Sequence, residues 1–274
     1  MDWRLKCAAL YALGSAPWLY QAVQRATGSA FLAVTDTYFK LHQRHATLYR
    51  RVHPGRALEF GGGRHFLSPL LLSHAGATEV LVYDLERLSS PALVNHTIRQ
   101  LRGRLSGSWP EVTDFDDLAL NYRIRYLAPA DARNTGLPDA SVDFICSTST
   151  LEHIPPDDIR RILGECARVA RRGAVLSHVV DYQDHYSYAD KTLSPFNFYR
   201  YSEKTWRWLN PPNHFQNRLR HSDYERLFAE QPLTTIETRP WRMNEIRVPL
   251  AAAFRRYDPL DLMTYSAYFV QERA

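Results

Sequence analysis

Cysteine is scarce in this chain, and its spacing excludes two kinds of small scaffold. Only three cysteines occur in 274 residues, Cys7, Cys146 and Cys166, and no two of them form a C-x-x-C pair. A disulfide framework and a zinc knuckle are therefore excluded. Unpaired, widely spaced cysteines are typical of proteins in a reducing compartment, so we expect a cytoplasmic protein.

Lysine is also scarce, and nearly all of the basic charge is arginine. The net charge is +5, and the arginines occur as scattered pairs such as Arg50-Arg51 and Arg160-Arg161. A nucleic-acid-binding protein more often concentrates such charge on one face or stripe. Nucleic acid is therefore not an expected partner, and a mildly anionic substrate or solubility explains the charge equally well.

Long apolar runs are absent, although the N-terminus has a charged start followed by CAALYALGSAPWLY. This stretch is too short to span a bilayer. Apolar residues recur at helical spacing at Leu5, Ala9 and Leu13, and again at Leu19 and Val23. The spacing predicts two short amphipathic helices that pack on the domain, and it leaves peripheral membrane contact open. The oligomeric state is not indicated.

The remaining composition is that of an ordinary globular protein, with 45% hydrophobic and 23% charged residues. From residue 54 onward, five short apolar strands alternate with helices, and two more strands are predicted near 233–239 and 265–271. This alternation predicts an α/β fold with a mostly parallel sheet, whose ligands bind at the carboxyl ends of the strands. We expect a helical N-terminal extension over 1–53 and one domain over 54–274, which carries an aromatic cap at 183–221.

A glycine triplet follows the first predicted strand, in LEFGGGRH over 58–65. A nucleoside-triphosphate loop requires G-x-x-x-x-G-K-[ST], and the required lysine and hydroxyl are missing. A dinucleotide-binding turn requires G-x-G-x-x-G, and here Phe66 stands at the third glycine position. Glu59 would also face a pyrophosphate unfavourably. A carboxylate before the glycines suits a ligand with a positive charge instead.

An apolar strand, an acid and G-x-G, matched here by Glu59, Gly61 and Gly63, resemble the first motif of the class I S-adenosylmethionine-dependent methyltransferases. The donor of that family carries an ammonium and a sulfonium, as the position of Glu59 suggests. The resemblance covers roughly 55–182. It implies a Rossmann-like, mostly parallel seven-stranded sheet flanked by helices, and S-adenosylmethionine as the cofactor.

Further motifs follow at the spacing of the family. Asp84, at the end of the second strand, matches the acid that binds the ribose hydroxyls, and Asp131 matches the acid that meets the adenine amine. The phrase LPDASVDFICSTSTLEHI resembles the fourth-strand motif, and its strand end near Ser147 would lie behind the methionine. The resemblance assigns three neighbours of these residues to the cofactor site as well: Gly62, Leu85 and Ala132.

Methyl transfer to a hydroxyl requires positioning, and a general base or a metal that lowers the pKa of the acceptor. Candidate residues follow the fourth strand, at Glu152-His153, and the fifth, at His178, Asp181, Asp184 and His185. We predict His185 or His178 as the base, with Asp181 beside it. The alternative interpretation of His178 is a core histidine, and that of Glu152 is an acid at the N-terminus of a helix. A divalent metal held by the fifth-strand residues stays an alternative, and no metal ligand is assigned.

The segment after the fifth strand is rich in aromatic residues, which suit stacking on a sugar or ring substrate but also suit core packing. These are Tyr186, Tyr188, Phe196, Phe198, Tyr199, Trp206 and Trp208. The segment resembles that of bacterial methyltransferases linked to polysaccharide or secondary-metabolite pathways. This resemblance implies O-methylation of a sugar, glycan or other small molecule.

Two other functions are compatible with the motifs. A methyltransferase-like module that binds the donor without catalysis is one, although the intact glycines and acids disfavour it. Methylation of a nucleic-acid base is the other. That reaction often uses a polar-proline-aromatic tetrapeptide after the fourth strand, whereas this chain has STSTLEHI there.

Overall fold

A computed structural model of the chain describes residues 2–14 and 32–274. The strands are β1 (Arg56–Phe60), β2 (Glu79–Tyr83), β3 (Ile124–Leu127), β4 (Val142–Thr148), β5 (Ala170–Asp181), β6 (Thr234–Arg242) and β7 (Thr264–Glu272). The α-helices are α1 (Trp3–Gly14), α2 (Asp36–Tyr49), α3 (Leu67–His74), α4 (Pro91–Arg102), α5 (Phe115–Tyr122), α6 (Pro156–Val169), α7 (Glu203–Leu209), α8 (His221–Ala229) and α9 (Pro259–Met263).

The seven strands form one sheet in the order β3-β2-β1-β4-β5-β7-β6. The first five strands are parallel, and β7 runs antiparallel to both β5 and β6. The predicted Rossmann-like, mostly parallel seven-stranded sheet is therefore confirmed. The order reverses at β1, so the carboxyl ends of β1 and β4 open a crevice in which ligands of such sheets bind.

Side chains of the central strands alternate between two hydrophobic layers, as the pleat of a strand requires. Val80 and Val82 pack with helices α2 to α5 on one face, whereas Leu81 and Tyr83 pack with α6 and α8 on the other. Both layers are buried, which explains why the parallel strands read as continuous apolar runs.

Helix α2 is shorter than the predicted helical run over 31–52, because Thr35 accepts a hydrogen bond from the N–H of Tyr38 and so caps the helix at its N-terminus. Its buried residues, among them Phe39 and Tyr49, join the same hydrophobic layer as Val80 and Val82. Part of the predicted N-terminal extension therefore contributes to the hydrophobic core beside the sheet.

Helix α1 packs through a different face from the predicted one. Trp3, Cys7 and Leu10 are buried, whereas Leu5 is 68% exposed. The spacing of the buried residues, i, i+4 and i+7, is also helical. The ring of Trp3 lies 5.3 Å from the ring of Tyr186, measured between centroids. The second predicted helix, with Leu19 and Val23, lies outside the described residues.

Most rings of the predicted cap pack against one another and against α1, and do not face a cavity. Five of the seven are buried in one hydrophobic cluster: Tyr186, Phe196, Phe198, Tyr199 and Trp206. Trp208 is 76% exposed, and only Tyr188 lines one of the cavities described below. The core-packing alternative therefore accounts for most of these rings. Within the described parts of the chain, none of the helices combines the length and apolarity needed to cross a membrane.

Candidate active site

A cavity of about 430 Å³ opens at the carboxyl ends of β1, β2 and β4. Gly61, Gly63, Asp84, Leu85, Asp131 and Ala132, all predicted cofactor-binding residues, line it. The other lining residues are Phe60, Tyr83, Leu88, Ala130, Arg133, Ser149, Thr150, His153, Ile154, Pro155, Asp158 and Ile162. We call this space the donor cavity.

Each glycine of the triplet has its own structural reason. Gly61 and Gly63 have φ angles of +70° and +63°, a region that L-residues with side chains rarely adopt. A Cβ at Gly61 would also collide with Thr150. Gly62 does not line the donor cavity, but a Cβ there would collide with Cγ1 of Val82. The middle glycine, which has no role in the motif, is therefore required by the packing of β2 beneath the turn.

Glu59 lies beneath the glycine turn and is only 2% exposed. Burial, opposed by a hydrogen bond from Ser68 and aided by the charge of Asp84, raises the pKa of Glu59 to about 8. Its Oε2 has no hydrogen-bond partner among the described residues. Glu59 is not among the residues that line the donor cavity, so direct contact with the donor stays a prediction.

Asp84 stands where β2 ends and reaches the donor cavity. The N–H of Gly63 donates to its Oδ2 over 2.9 Å, which ties the end of β2 to the glycine turn. Burial raises the pKa of this carboxyl to about 7, although the bond from Gly63 opposes the shift.

Asp131 also lines the donor cavity, but its carboxylate is already engaged. Nε of Arg133 donates to both carboxylate oxygens, at 3.0 and 2.9 Å, and Nη1 of Arg133 donates to Asp158 at 2.8 Å. The hydrogen bonds from Arg133 hold the pKa of Asp131 below its ordinary value. Arg133 thus fixes the acid that the motif assigns to adenine, a residue that the sequence interpretation did not include.

Ser147 and His178 do not reach a cavity, contrary to their predicted roles. The strand β4 continues to Thr148, so Ser147 lies inside the strand and Ser149 is the first residue after it. Ser147 and His178 are both fully buried and share a hydrogen bond of 2.9 Å. The ring of His178 stacks on Phe228, and burial lowers its pKa to about 3. His178 is therefore the core histidine of the alternative interpretation.

A second cavity of about 1040 Å³ adjoins the first, and Ser149 lines both. We call it the acceptor cavity. One wall comes from Leu32, in the segment before α2, and from α2 itself. The α2 residues are Thr37, Tyr38, Lys40, Leu41, Gln43, Arg44 and Thr47. The opposite wall comes from β5 to β7 and the loop after β5: Val179, Asp181, Gln183, His185, Tyr188, Arg239, Trp241, Tyr265, Ser266 and Tyr268.

Two predicted catalytic residues, Asp181 and His185, lie together in the acceptor cavity. Nε2 of His185 is 3.4 Å from Oδ2 of Asp181, and the hydroxyl of Tyr188 donates a hydrogen bond to the same oxygen. Burial alone would raise the pKa of Asp181, but His185, Tyr188 and the N–H of Gln183 together hold it below its ordinary value. The structure thus brings an acid and a base together beside the space for a substrate.

Glu152 and His153 lie beside this pair, at the border between the two cavities. The rings of His153 and His185 are 4.8 Å apart between centroids, and His153 lines the donor cavity. Glu152 is 2% exposed, and burial, together with the charge of Asp181, raises its pKa well above its ordinary value. Asp184 has a structural role instead, because it accepts from the N–H of Tyr186 and from Asn197.

Several lining residues were missed by the sequence interpretation. Ser149 has a φ of +48°, a left-handed conformation that none of the sequence motifs predicts. Tyr38 and Arg44 were placed in a helical extension, and nothing in a helical pattern says which cavity its polar face will line. Arg239 and Trp241 come from β6, which is far from the motifs in sequence and reaches the site only through the antiparallel pairing with β7.

Comparisons with known proteins agree with this architecture. A family model described as a methyltransferase domain matches residues 111–177, which include Asp131, Glu152 and His153. None of the curated proteins matches the chain.

Two solved structures illustrate the likeness of fold. A S-adenosylmethionine-dependent methyltransferase from Methanosarcina mazei is 15% identical, with a TM-score of 0.50, over 82% of this chain and 96% of that one. The geranyl diphosphate C-methyltransferase of Streptomyces coelicolor A3(2), solved with Mg²⁺, geranyl diphosphate and S-adenosyl-L-homocysteine, is 12% identical, with a TM-score of 0.50, over 88% and 83%.

At such low sequence identities the structural likeness shows only that the folds are alike. The match to the domain model and the motifs are separate observations made on the sequence. The match over 111–177 and the class I fold agree with the motif residues around the donor cavity. Residues 111–177 thus match a methyltransferase domain, and the chain has the fold of the class I S-adenosylmethionine-dependent methyltransferases.

Proposed function

We propose that the enzyme transfers a methyl group from S-adenosylmethionine to a hydroxyl of a sugar, glycan or other small molecule bound in the acceptor cavity. The single observation that supports this proposal is the arrangement of the two cavities. They meet at Ser149, and the Asp181–His185 pair lies on the acceptor side of the junction. A volume of about 1040 Å³ is at the upper end of the range for small-molecule sites.

The donor would lie in the smaller cavity. Asp84 would accept hydrogen bonds from the ribose diol, and Asp131, held by Arg133, would face the adenine amine. Gly61 and Gly63 allow the backbone to approach the methionine portion closely. Glu59, buried beneath the turn, would stabilise the ammonium through its charge.

The Asp181–His185 pair would act as the general base. The ring nitrogen of His185 that does not face Asp181 accepts the hydroxyl proton of the acceptor, while the acceptor oxygen attacks the methyl carbon of the donor. The carbon–sulfur bond breaks, and its electron pair stays on sulfur, which leaves a methyl ether and S-adenosylhomocysteine. Asp181 stabilises the positive charge that develops on the imidazole, as a carboxylate does beside a catalytic histidine.

Two measurements test this function in sequence. S-adenosylmethionine or S-adenosylhomocysteine at millimolar concentration should raise the melting temperature of the wild-type protein, and Asp84→Ala should abolish the shift. Isotope-labelled methyl transfer into fractionated metabolites and glycans then identifies the acceptor. Donor binding without transfer to any fraction would favour the non-catalytic module, and a salt-dependent shift with oligonucleotides would favour a nucleic-acid substrate.

We place the reaction in the cytoplasm, on the support of three buried, unpaired cysteines. Peripheral membrane contact through α1 is a lesser proposal, which rests on the exposed Leu5 and Tyr11. Co-sedimentation with anionic vesicles tests it, and Leu5→Ser should reduce the bound fraction if α1 is the contact.

A further inference from the structure

Three potential ligands converge at the border between the donor and acceptor cavities. Glu152 and His153 come from the 3₁₀ turn after β4, and His185 comes from the loop after β5. One ligand atom from each of the three residues lies within 4.8 Å of the others. Two imidazoles and one carboxylate are the ligand set of many catalytic zinc and non-haem iron sites.

Glu152 is the strongest indication that this cluster binds a cation. Its side chain is 2% exposed, and neither carboxylate oxygen has a hydrogen-bond partner within residues 2–14 and 32–274. A buried carboxylate without a partner is costly in free energy, whether it remains charged or is neutralised by a proton. A structural acid at the start of a helix would instead accept well-formed N–H bonds. The N–H groups of Glu152 itself and of Asp181 lie close enough to oppose the rise in the pKa of Glu152, but neither completes a hydrogen bond to its carboxylate.

The two histidines are oriented as metal ligands usually are. Nδ1 of His153 contacts the carbonyl oxygen of Phe215 at 2.8 Å, and it must donate to this acceptor. The proton is therefore on Nδ1, and Nε2 keeps its lone pair, which is the arrangement that fixes a histidine ligand through its second nitrogen. Nε2 of His185 is buried and lies 3.4 Å from Oδ2 of Asp181, but it completes no hydrogen bond to the part of the chain that is described.

We propose that Glu152, His153 and His185 bind one divalent transition-metal ion, of which Zn²⁺ is the best-matched example. Zinc–nitrogen and zinc–oxygen bonds are about 2.0–2.2 Å long, which places the ligand atoms of a tetrahedral ion about 3.4 Å apart. The three ligand atoms must therefore approach one another by up to about 1.4 Å when the ion binds. Small side-chain rotations supply this movement. Three protein ligands leave the fourth position of a tetrahedral ion for a water molecule or the acceptor oxygen.

The position of the cluster indicates what the ion does, and this step rests on the proposed function. His153 lines the donor cavity and His185 lines the acceptor cavity, so the ion lies where the two substrates meet. There it lowers the pKa of the bound acceptor hydroxyl, as zinc does for bound water. The hydroxyl proton then leaves to the Asp181 carboxylate instead of His185, and the transfer of the methyl group is otherwise unchanged.

The test measures metal binding by the full-length protein without donor or acceptor. After dialysis against a chelator, ZnCl₂ is titrated by calorimetry, and CoCl₂ is titrated while the visible absorption of tetrahedral Co²⁺ is recorded. We expect one ion per chain in both titrations. Glu152→Gln and His185→Gln should each weaken binding by more than about 100-fold, since each removes a direct ligand.

Controls separate a lost ligand from a damaged fold. His214→Asn changes a histidine whose ring is 6.1 Å from that of His185 but which is not one of the three ligands, and it should bind Zn²⁺ as the wild type does. Each variant must keep the melting temperature of the metal-free wild type within a few degrees. If Glu152→Gln does not fold, His153→Gln takes its place, because His153 is at the surface of the cluster.

The outcomes distinguish this inference from the proposed function. A wild-type protein that binds neither ion at 100-fold excess, or variants that bind as tightly as the wild type, would overturn the metal site. Donor binding and methyl transfer in the presence of a chelator would leave the general-base mechanism intact. Stoichiometric metal binding without any response to S-adenosylmethionine would support the site and contradict the proposed function.

Discussion

The two cavities differ in how the chain builds them. Much of the donor cavity is lined by residues that come shortly after the ends of three successive strands, represented by Gly61, Asp84 and Asp131. The acceptor cavity joins α2 to β5, β6 and β7, segments separated by up to about two hundred residues. Short local motifs therefore suffice to place several residues of the donor cavity, whereas the shape of the acceptor cavity depends on packing between distant segments.

The largest expected effect belongs to the acceptor cavity. His185→Asn should lower kcat by about 10²- to 10⁴-fold, because the variant loses the base that accepts the proton. Donor affinity, measured by calorimetry, should change less than threefold, since His185 does not line the donor cavity. His214→Asn is the matched control, and it should keep normal turnover. A large loss of donor affinity in His185→Asn would remove the division between the two cavities.

The next effect belongs to the donor cavity and depends on pH. Glu59 has a pKa of about 8 in the ligand-free protein, and it must lose its proton to stabilise a cationic donor. Donor affinity should therefore rise with pH by up to about tenfold per unit until pH reaches about 8. Calorimetric Kd values between pH 6 and 9 measure this dependence, and Glu59→Gln should flatten it. An unchanged slope in Glu59→Gln would assign the proton to Asp84, whose pKa is about 7.

The stability of the ligand-free protein should show the opposite trend. The ordinary pKa of Glu59 is 4.5, so between this value and about 8 the folded state holds a proton that the unfolded chain has lost. The raised pKa therefore contributes stability that is fully present below pH 4.5 and is lost as pH rises through about 8. Urea denaturation at pH 5 and pH 8 measures the difference, and Glu59→Gln should reduce it. If the free energy of unfolding changed equally with pH in the wild type and in Glu59→Gln, the pH dependence would not come from Glu59.

A smaller effect tests the middle glycine. Gly62→Ala places a Cβ against Val82, and overpacking of this kind costs about 1–3 kcal/mol. Because the strain falls on the glycine turn, donor affinity should drop by about tenfold together with the melting temperature. The double variant Gly62→Ala with Val82→Ala removes the opposing methyl groups and should recover donor affinity. Failure of the second substitution to recover binding would assign a direct role to the backbone at Gly62.

The smallest expected effect tests whether the acceptor stacks on an aromatic ring of the acceptor cavity. Trp241→Ala removes a half-buried ring from the wall of the acceptor cavity, and stacking on an aromatic ring is worth about 0.5–1.5 kcal/mol. The KM for the acceptor should rise about threefold to tenfold, with little change in kcat or donor affinity. Trp208→Ala, at a ring that is 76% exposed and lines neither cavity, is the matched control.

The cofactor motifs could be predicted because they are short and each occupies one strand end. Asp84 follows β2 directly, and the N–H of Gly63 binds it across the turn. The error at Ser147 has a simple origin, because β4 extends further than its apolar run indicates. The predicted end of β4 was two residues too early, and this displacement moves a side chain from the cavity into the interior.

The arrangement of aromatic residues could not be read from composition. Tyr186 and Tyr188 are two positions apart, yet the first packs against Trp3 and the second lines the acceptor cavity. Their roles depend on where α1 and α2 pack in the folded chain, and the composition of an aromatic-rich segment does not indicate those positions. Likewise, the cluster of Glu152, His153 and His185 requires two loops to meet.

Sequence patterns are enough to predict the α/β class, the positions of the strands that carry the first motifs and several residues that line the donor cavity, because these depend on hydrophobic periodicity and on contacts between near neighbours. Tertiary structure alone decided which helix faces the acceptor, which histidine is buried and why Gly62 has no side chain. Those properties depend on close packing between segments far apart in the chain, where a displacement of one residue changes which side chains meet.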